Sequence, residues 1–146
     1  MSLKMVVGYD SSEYAHYAFS RAVELAQKAQ GSLVVVCGRK PKGMSFVAAF
    51  QPTGTVVTAM QEADQACSTA LKAAAEEAAA SGVSVSTRAV YEEPAEALMN
   101  VAESELVDLI VVGAKGEGSL ADRVFGSTVT KLLQESATPV LVVPTK

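Results

Sequence analysis

Short runs rich in Val, Ile and Leu recur along this chain, each followed by a longer stretch with helical periodicity, and that alternation restricts the folds open to it. The runs are LKMVVGY (3–9), LVVVCG (33–38), VSVSTRAV (83–90), LVDLIVVG (106–113) and PVLVVP (139–144). Between the first two, Ala15, Ala18, Phe19, Ala22, Leu25, Ala26 and Ala29 fall on one helical face. Asp10, Ser11 and Ser12 offer N-caps for that helix, with Glu13 at capping-box spacing from Asp10, and Gly31 suits its left-handed stop. A second helix is expected over 57–80, with Met60, Ala63, Cys67, Ala70, Leu71 and Ala74 inward and Ser81-Gly82 as its terminator. Pro94 opens a third helix, with Leu98, Met99 and Ala102 inward, and Gly126-Ser127 opens a fourth carrying Val129, Leu132 and Leu133.

Five such strands joined by four helices predict one α/β domain over residues 1–146, a flavodoxin- or Rossmann-like parallel sheet with helices on both faces. In sheets of this kind ligands bind beyond the carboxyl ends of the strands, where the strand order reverses. The third run alternates Val83, Val85, Thr87 and Ala89 with Ser84, Ser86 and Arg88, as an edge strand would.

Charge and composition remove other classes. With 12 Lys+Arg against 16 Asp+Glu, a net charge of −4, the chain lacks the basic footprint of a nucleic-acid binder. Its apolar runs are strand-sized, too short for a membrane helix. MSLKMVVGYD has neither an apolar h-region nor a cleavage site, so a cytoplasmic location is expected. Two cysteines and one His are too few for a disulfide framework or a metal-ligand set. Cys67 falls in an apolar stripe as a small core residue, and Cys37 ends a strand beside the expected ligand site.

The chemistry concentrates after the fourth run. Gly113-Ala114-Lys115-Gly116 is followed, nine residues on, by Gly126-Ser127. Glycines let backbone N–H groups approach phosphate oxygens, and a helix N-terminus favours an anion. Ser127, Thr128 or Ser119 can add hydroxyls, and Lys115 or Arg123 charge. Neither GxxxxGK[ST] nor GxGxxG is present, so the Lys and Mg²⁺-holding hydroxyl of a phosphotransferase loop are missing. Binding without efficient turnover is the expectation.

The pattern Gly113-x2-Gly116-x9-Gly126-Ser127 resembles the ATP-binding signature of the universal stress protein (UspA-like) family. VVGYDSSEYAHYAFSRAVELA, EEPAEALMNVAESELVDLIVVGAKG and ATPVLVVP are similar to that family's opening, central and closing regions, so the resemblance spans nearly the whole chain. It implies a 3-2-1-4-5 sheet, a homodimer, and ATP, ADP or AMP, with or without Mg²⁺, between the carboxyl ends of strands one and four. It further implies Asp10, Ser11 and Ser12 at the adenosine end, and Gly38 at the adenine wall. Val112, Gly113, Lys115 and Gly116 would wrap the ribose and phosphates, with Gly126, Ser127, Thr128 and Val129 closing the phosphate end. Cys37-Gly38 replaces a common His-hydrophobic pair, and Val129 stands where a hydroxyl residue can occur.

Other features have plainer readings. His16 shares a polar face with Ser20, Glu24 and Gln27 and has no evident catalytic partner. Arg39, Lys40 and Lys42 form a basic cluster that is either solvated or part of a lid on the ligand side. In the implied strand order PVLVVP is an edge unguarded by charge, which predicts pairing with a second copy. A regulatory or stress-response nucleotide binder is therefore expected. The alternatives are a slow ATPase or phosphotransferase and a nucleotide-free interaction module.

Overall fold

The computed structural model describes residues 2–10, 12–38, 54–115 and 125–144, apart from the side chains of 55 and 56. Strands β1 (Lys4–Gly8), β2 (Ser32–Gly38), β3 (Ser84–Val90), β4 (Leu109–Gly113) and β5 (Val140–Val143) alternate with helices α1 (Glu13–Ala29), α2 (Gly54–Ala80), α3 (Pro94–Ser104) and α4 (Ser127–Glu135). The strands pair in parallel in the order β3-β2-β1-β4-β5, which is the expected doubly wound sheet. The order reverses between β1 and β4, so the crevice above their carboxyl ends is the place where a ligand can enter.

Each face of the sheet buries its own core. Met5, Val7, Leu33, Val35 and Val111 meet α1 and α2 on one side; Val6, Val34, Val36, Ile110 and Val112 meet α3 and α4 on the other. Central strands buried on both faces need continuous apolar sequence, which is why these runs do not alternate. In α1 the buried set is Ala15, Ala18, Phe19, Ala22, Val23 and Ala26. The small alanines bring the helix close to the sheet, and Phe19 fills the remaining space, edge-on to Tyr9 at 5.5 Å between ring centroids.

Of the three N-caps the sequence offers, Ser12 takes the role: its side chain accepts from Ala15 N–H at 3.1 Å, while Asp10 Oδ1 accepts the Ser12 N–H at 2.9 Å. Several other local expectations are corrected. Gln30 takes the left-handed position (φ 53°) expected of Gly31. Gly31 is required for another reason, because a Cβ there would lie 2.3 Å from the Leu3 carbonyl oxygen. The fourth strand begins at Leu109, not Leu106: Leu106 takes φ 53° and is 84% exposed, and Asp108 accepts the Lys4 N–H at 2.9 Å. His16 has a partner after all, Nε2 meeting Glu77 Oε1 of α2 at 3.0 Å. The two cysteines are not independent residues. Cys37 and Cys67 form a disulfide, with Cα atoms 5.6 Å apart, tying the end of β2 to α2.

Among the described residues, no helix is long and apolar enough to cross a membrane.

Candidate functional site

A pocket opens at the switch point, enclosing about 510 Å³ of space between the atoms with its open mouth included. Its floor and walls come from six elements and the turns beside them, with Ala15 contributed by α1. Gly8, Tyr9 and Asp10 end β1, Val36 and Gly38 end β2, and Val112, Gly113 and Lys115 end β4. Pro94 and Leu98 project from α3, and Gly126, Thr128 and Val129 begin α4.

Of the residues singled out in the sequence, Asp10, Gly38, Val112, Gly113, Lys115, Gly126, Thr128 and Val129 converge on this lining. Ser12 is half-buried and Ser127 exposed; neither is part of it. Ser11, Gly116, Ser119, Arg123, Arg39, Lys40 and Lys42 lie outside the described residues. Sequence reading missed Tyr9, Val36, Pro94 and Leu98 as wall residues. They come from three separate elements, and nothing in local periodicity marks their convergence.

The polar and apolar parts of the lining are segregated by origin. Val36, Pro94, Leu98 and Val112 form an apolar wall on the α3 side. Asp10 and Lys115 supply one charge of each sign, and Thr128 a hydroxyl. Burial, reinforced by the Glu77 and Asp10 carboxylates, holds the Tyr9 phenol above its ordinary pKa, so it stays a neutral donor at neutral pH.

Of the helix N-termini at this end, those of α1 and α4 differ. In α1 the Ser12 hydroxyl already occupies the Ala15 amide. In α4 the N-cap is Gly126, which has no side chain to occupy first-turn amides. Among the described residues no capping side chain takes these donors, so they and the positive end of the helix dipole face a pocket-lining turn, an arrangement suited to an anion. The ends of the connecting loop are tied, Gly126 N–H donating to the Ala114 carbonyl at 2.9 Å and Ala114 N–H to the Val143 carbonyl at 3.0 Å. This base is hydrogen-bonded on both sides.

Two glycines of the lining are constrained by packing. At Gly113 a Cβ would lie 2.6 Å from the Tyr14 carbonyl oxygen, and at Gly38 it would lie 2.6 Å from that of Glu92. At Gly8 the obstacle is softer, the Leu98 Cδ1 at 3.0 Å. Glycine at 113 is therefore demanded by the approach of α1 before any ligand is considered. Val129 is 2% exposed in the α3–α4 core, which explains an aliphatic residue at a position where a hydroxyl was conceivable.

Residues 1–144 match the model of the universal stress protein family. The universal stress protein YxiE of Bacillus subtilis (strain 168) is 33% identical over 148 residues, spanning 96% of this chain and 97% of that protein. Among solved structures, universal stress protein UspA from Lactobacillus plantarum superposes with a TM-score of 0.79 at 25% identity, covering 97% of both chains. A universal stress protein in complex with cAMP gives a TM-score of 0.73 at 28% identity, over 99% of this chain and 98% of that one.

Proposed function

The chain belongs to the universal stress protein family, and we propose that within it this protein is a regulatory binder of adenine nucleotides, ATP first among them, acting in the cytoplasm. The observation that carries this reading is the pocket at the β1/β4 switch point, where an apolar wall and an uncapped helix N-terminus face one cavity. A purine is flat and apolar on its faces, and a polyphosphate is an anion; the two halves of the lining suit the two halves of such a ligand. The cAMP complex of a related protein supports the same ligand class.

In this reading Val36, Gly38, Pro94 and Leu98 border the base, with Asp10 and Ser12 toward the adenosine end. Lys115 and the first-turn amides of Ser127, Thr128 and Val129 take the phosphates, with Val112, Gly113 and Gly126 letting the backbone come close. Asp10 is the sole carboxylate among the described lining residues, so a Mg²⁺ ion would be carried on the phosphates rather than by a set of protein carboxylates. None of the described lining residues is a histidine, and the one carboxylate is already bonded to the Ser12 amide. Binding that shifts a conformation or a partner therefore suits the site better than rapid hydrolysis. Titration calorimetry should return saturable binding of one ATP per chain. At about 100-fold its Kd the nucleotide should stabilise the fold by about 2.7 kcal/mol. Indifference to ATP, ADP, AMP and cAMP alike would end this reading.

We further propose a homodimer formed along β5. This strand is an edge, its residues Val140, Leu141 and Val142 remain half-buried, and PVLVVP contains no charge. The opposite edge, β3, by contrast presents Ser84, Ser86 and Arg88 to solvent. Bare apolar edges are usually covered. Light scattering at tens of micromolar should give twice the 15.1 kDa chain mass; a concentration-independent monomer would remove the dimer.

A further inference from the structure

The Cys37–Cys67 bond lies one residue from the pocket, on the other side of the strand end. Cys37 faces the α1 and α2 core, whereas Gly38 lines the pocket. Gly38 has no slack: a Cβ there would lie 2.6 Å from the Glu92 carbonyl oxygen and 3.0 Å from the Pro94 nitrogen. Contact this close means that movement of the β2 end is felt at Pro94, a second wall residue.

Cys67 sits at a mechanical boundary in α2. That helix returns the chain from the carboxyl end of β2 to the start of β3, so the residues before Cys67 reach past the end of β2 on the pocket's end of the sheet. Among its described side chains none before Cys67 is buried, whereas Cys67, Ala70, Leu71, Ala74 and Ala78 all are. Residues 54–66 thus amount to roughly 20 Å of helix, at 1.5 Å per residue, whose described side chains are at most half-buried. Among the described side chains Cys67 is the first fully buried point of α2, and it is fastened covalently to the end of the strand whose Gly38 lines the pocket.

We propose that Cys37 and Cys67 form a reversible thiol–disulfide switch, exchanged by a low-molecular-weight thiol couple, that sets the affinity of the adjacent pocket for its nucleotide. The coupling rests on the nucleotide reading of that pocket. Reduction consumes two small thiols: one thiolate attacks a protein sulfur, giving a mixed disulfide and a Cys thiolate, and the second displaces the protein sulfur from it. Two protein thiols and one small-molecule disulfide result, and oxidation is the reverse. The pair is closed in the folded state, with Cys37 5% and Cys67 2% exposed. Opening it requires lifting the first half of α2, whose described side chains are exposed or half-buried, a local unfolding that leaves the fully buried half of the helix in place. The freed Cys37 thiol would find the Gly38 carbonyl oxygen 3.9 Å away as an acceptor. Disulfides in a reducing cytoplasm are characteristically transient and redox-sensing, which fits a bond placed one residue from a site. The bridged form holds Gly38 ready for a ligand, and the dithiol form has to order it on binding, so oxidation tightens the site.

The experiment compares the wild-type chain in two states, oxidised and reduced with a phosphine, each verified by alkylation and mass spectrometry. Calorimetry should show ATP binding about five- to tenfold weaker in the reduced form. A Cys67→Ser variant should match the reduced form whether or not reductant is present. By linkage, ATP should make the disulfide harder to reduce by the same factor, read from thiol content across glutathione buffers. Equal affinity in both states, with no effect of ATP on the thiol titration, overturns the switch and leaves the nucleotide reading intact. No binding in either state overturns the nucleotide reading, and the coupling with it.

Discussion

Gly113→Ala should cost about 2–3 kcal/mol of stability, lowering the melting temperature by roughly 6–12 °C, the penalty for forcing an extra carbon into a packed core. The added Cβ would lie 2.6 Å from the Tyr14 carbonyl oxygen and 2.9 Å from its carbon. Both are backbone atoms in the first turn of α1, and they cannot swing aside as a side-chain tip can. That turn is held from below by Ala15, Ala18 and Phe19, all buried, so relief requires moving the whole helix or bending β4. Gly54→Ala is the matched control: at the start of α2 a Cβ meets nothing within 4 Å, and stability should stay level or rise slightly. Thermal and urea unfolding of the two variants read the difference. Equal melting temperatures would mean that the α1–β4 contact yields freely.

This expectation changes how a glycine signature is interpreted. Gly113 stands in a spacing that points to phosphate binding, and its surroundings demand glycine for packing α1 against β4. Lost nucleotide binding in a Gly113 variant would therefore report a displaced helix as readily as a lost ligand contact. The topology was legible because the period of the apolar pattern switches between strand and helix at each element, and one sheet order satisfies the resemblance. The disulfide was not, since Cys37 and Cys67 are 30 residues apart and their pairing depends on how α2 lies across β2. Leu106 and Val107 read as strand because they are apolar, but the tight turn out of α3 puts Leu106 in the left-handed region and in solvent. The Asp10 side chain was legible as a residue at the end of the first strand. Its bond to the Ser12 amide follows from turn geometry that spacing does not reveal. At the pocket, the residues with polar chemistry were found from the sequence, whereas the apolar wall of Val36, Pro94 and Leu98 needed β2 and α3 to be brought together.

Lys115→Glu separates binding from folding where the glycine cannot. Lys115 is half-buried at the mouth end of β4 and lines the pocket beside Gly113 and Thr128. The exchange removes a cation and installs an anion near the proposed phosphate site. Two unit charges about 8 Å apart at an effective dielectric of about 20 interact by roughly 2 kcal/mol, and reversal changes the sign as well as removing the attraction. Screening and side-chain freedom at a half-exposed site reduce that figure, so a loss of about 10- to 100-fold in ATP affinity is the expected result. The loss should shrink from ATP to AMP and vanish for adenosine, which carries no phosphate for the new carboxylate to repel. Raising the salt concentration should narrow the gap between variant and wild type, because long-range repulsion is screened while contacts to the base are not. The melting temperature without nucleotide should move by no more than a surface ion pair is worth, within about 1 kcal/mol. An equal loss for adenosine and ATP would assign Lys115 to the wall of the pocket instead of its phosphate end, and unchanged ATP affinity would remove it from the site altogether.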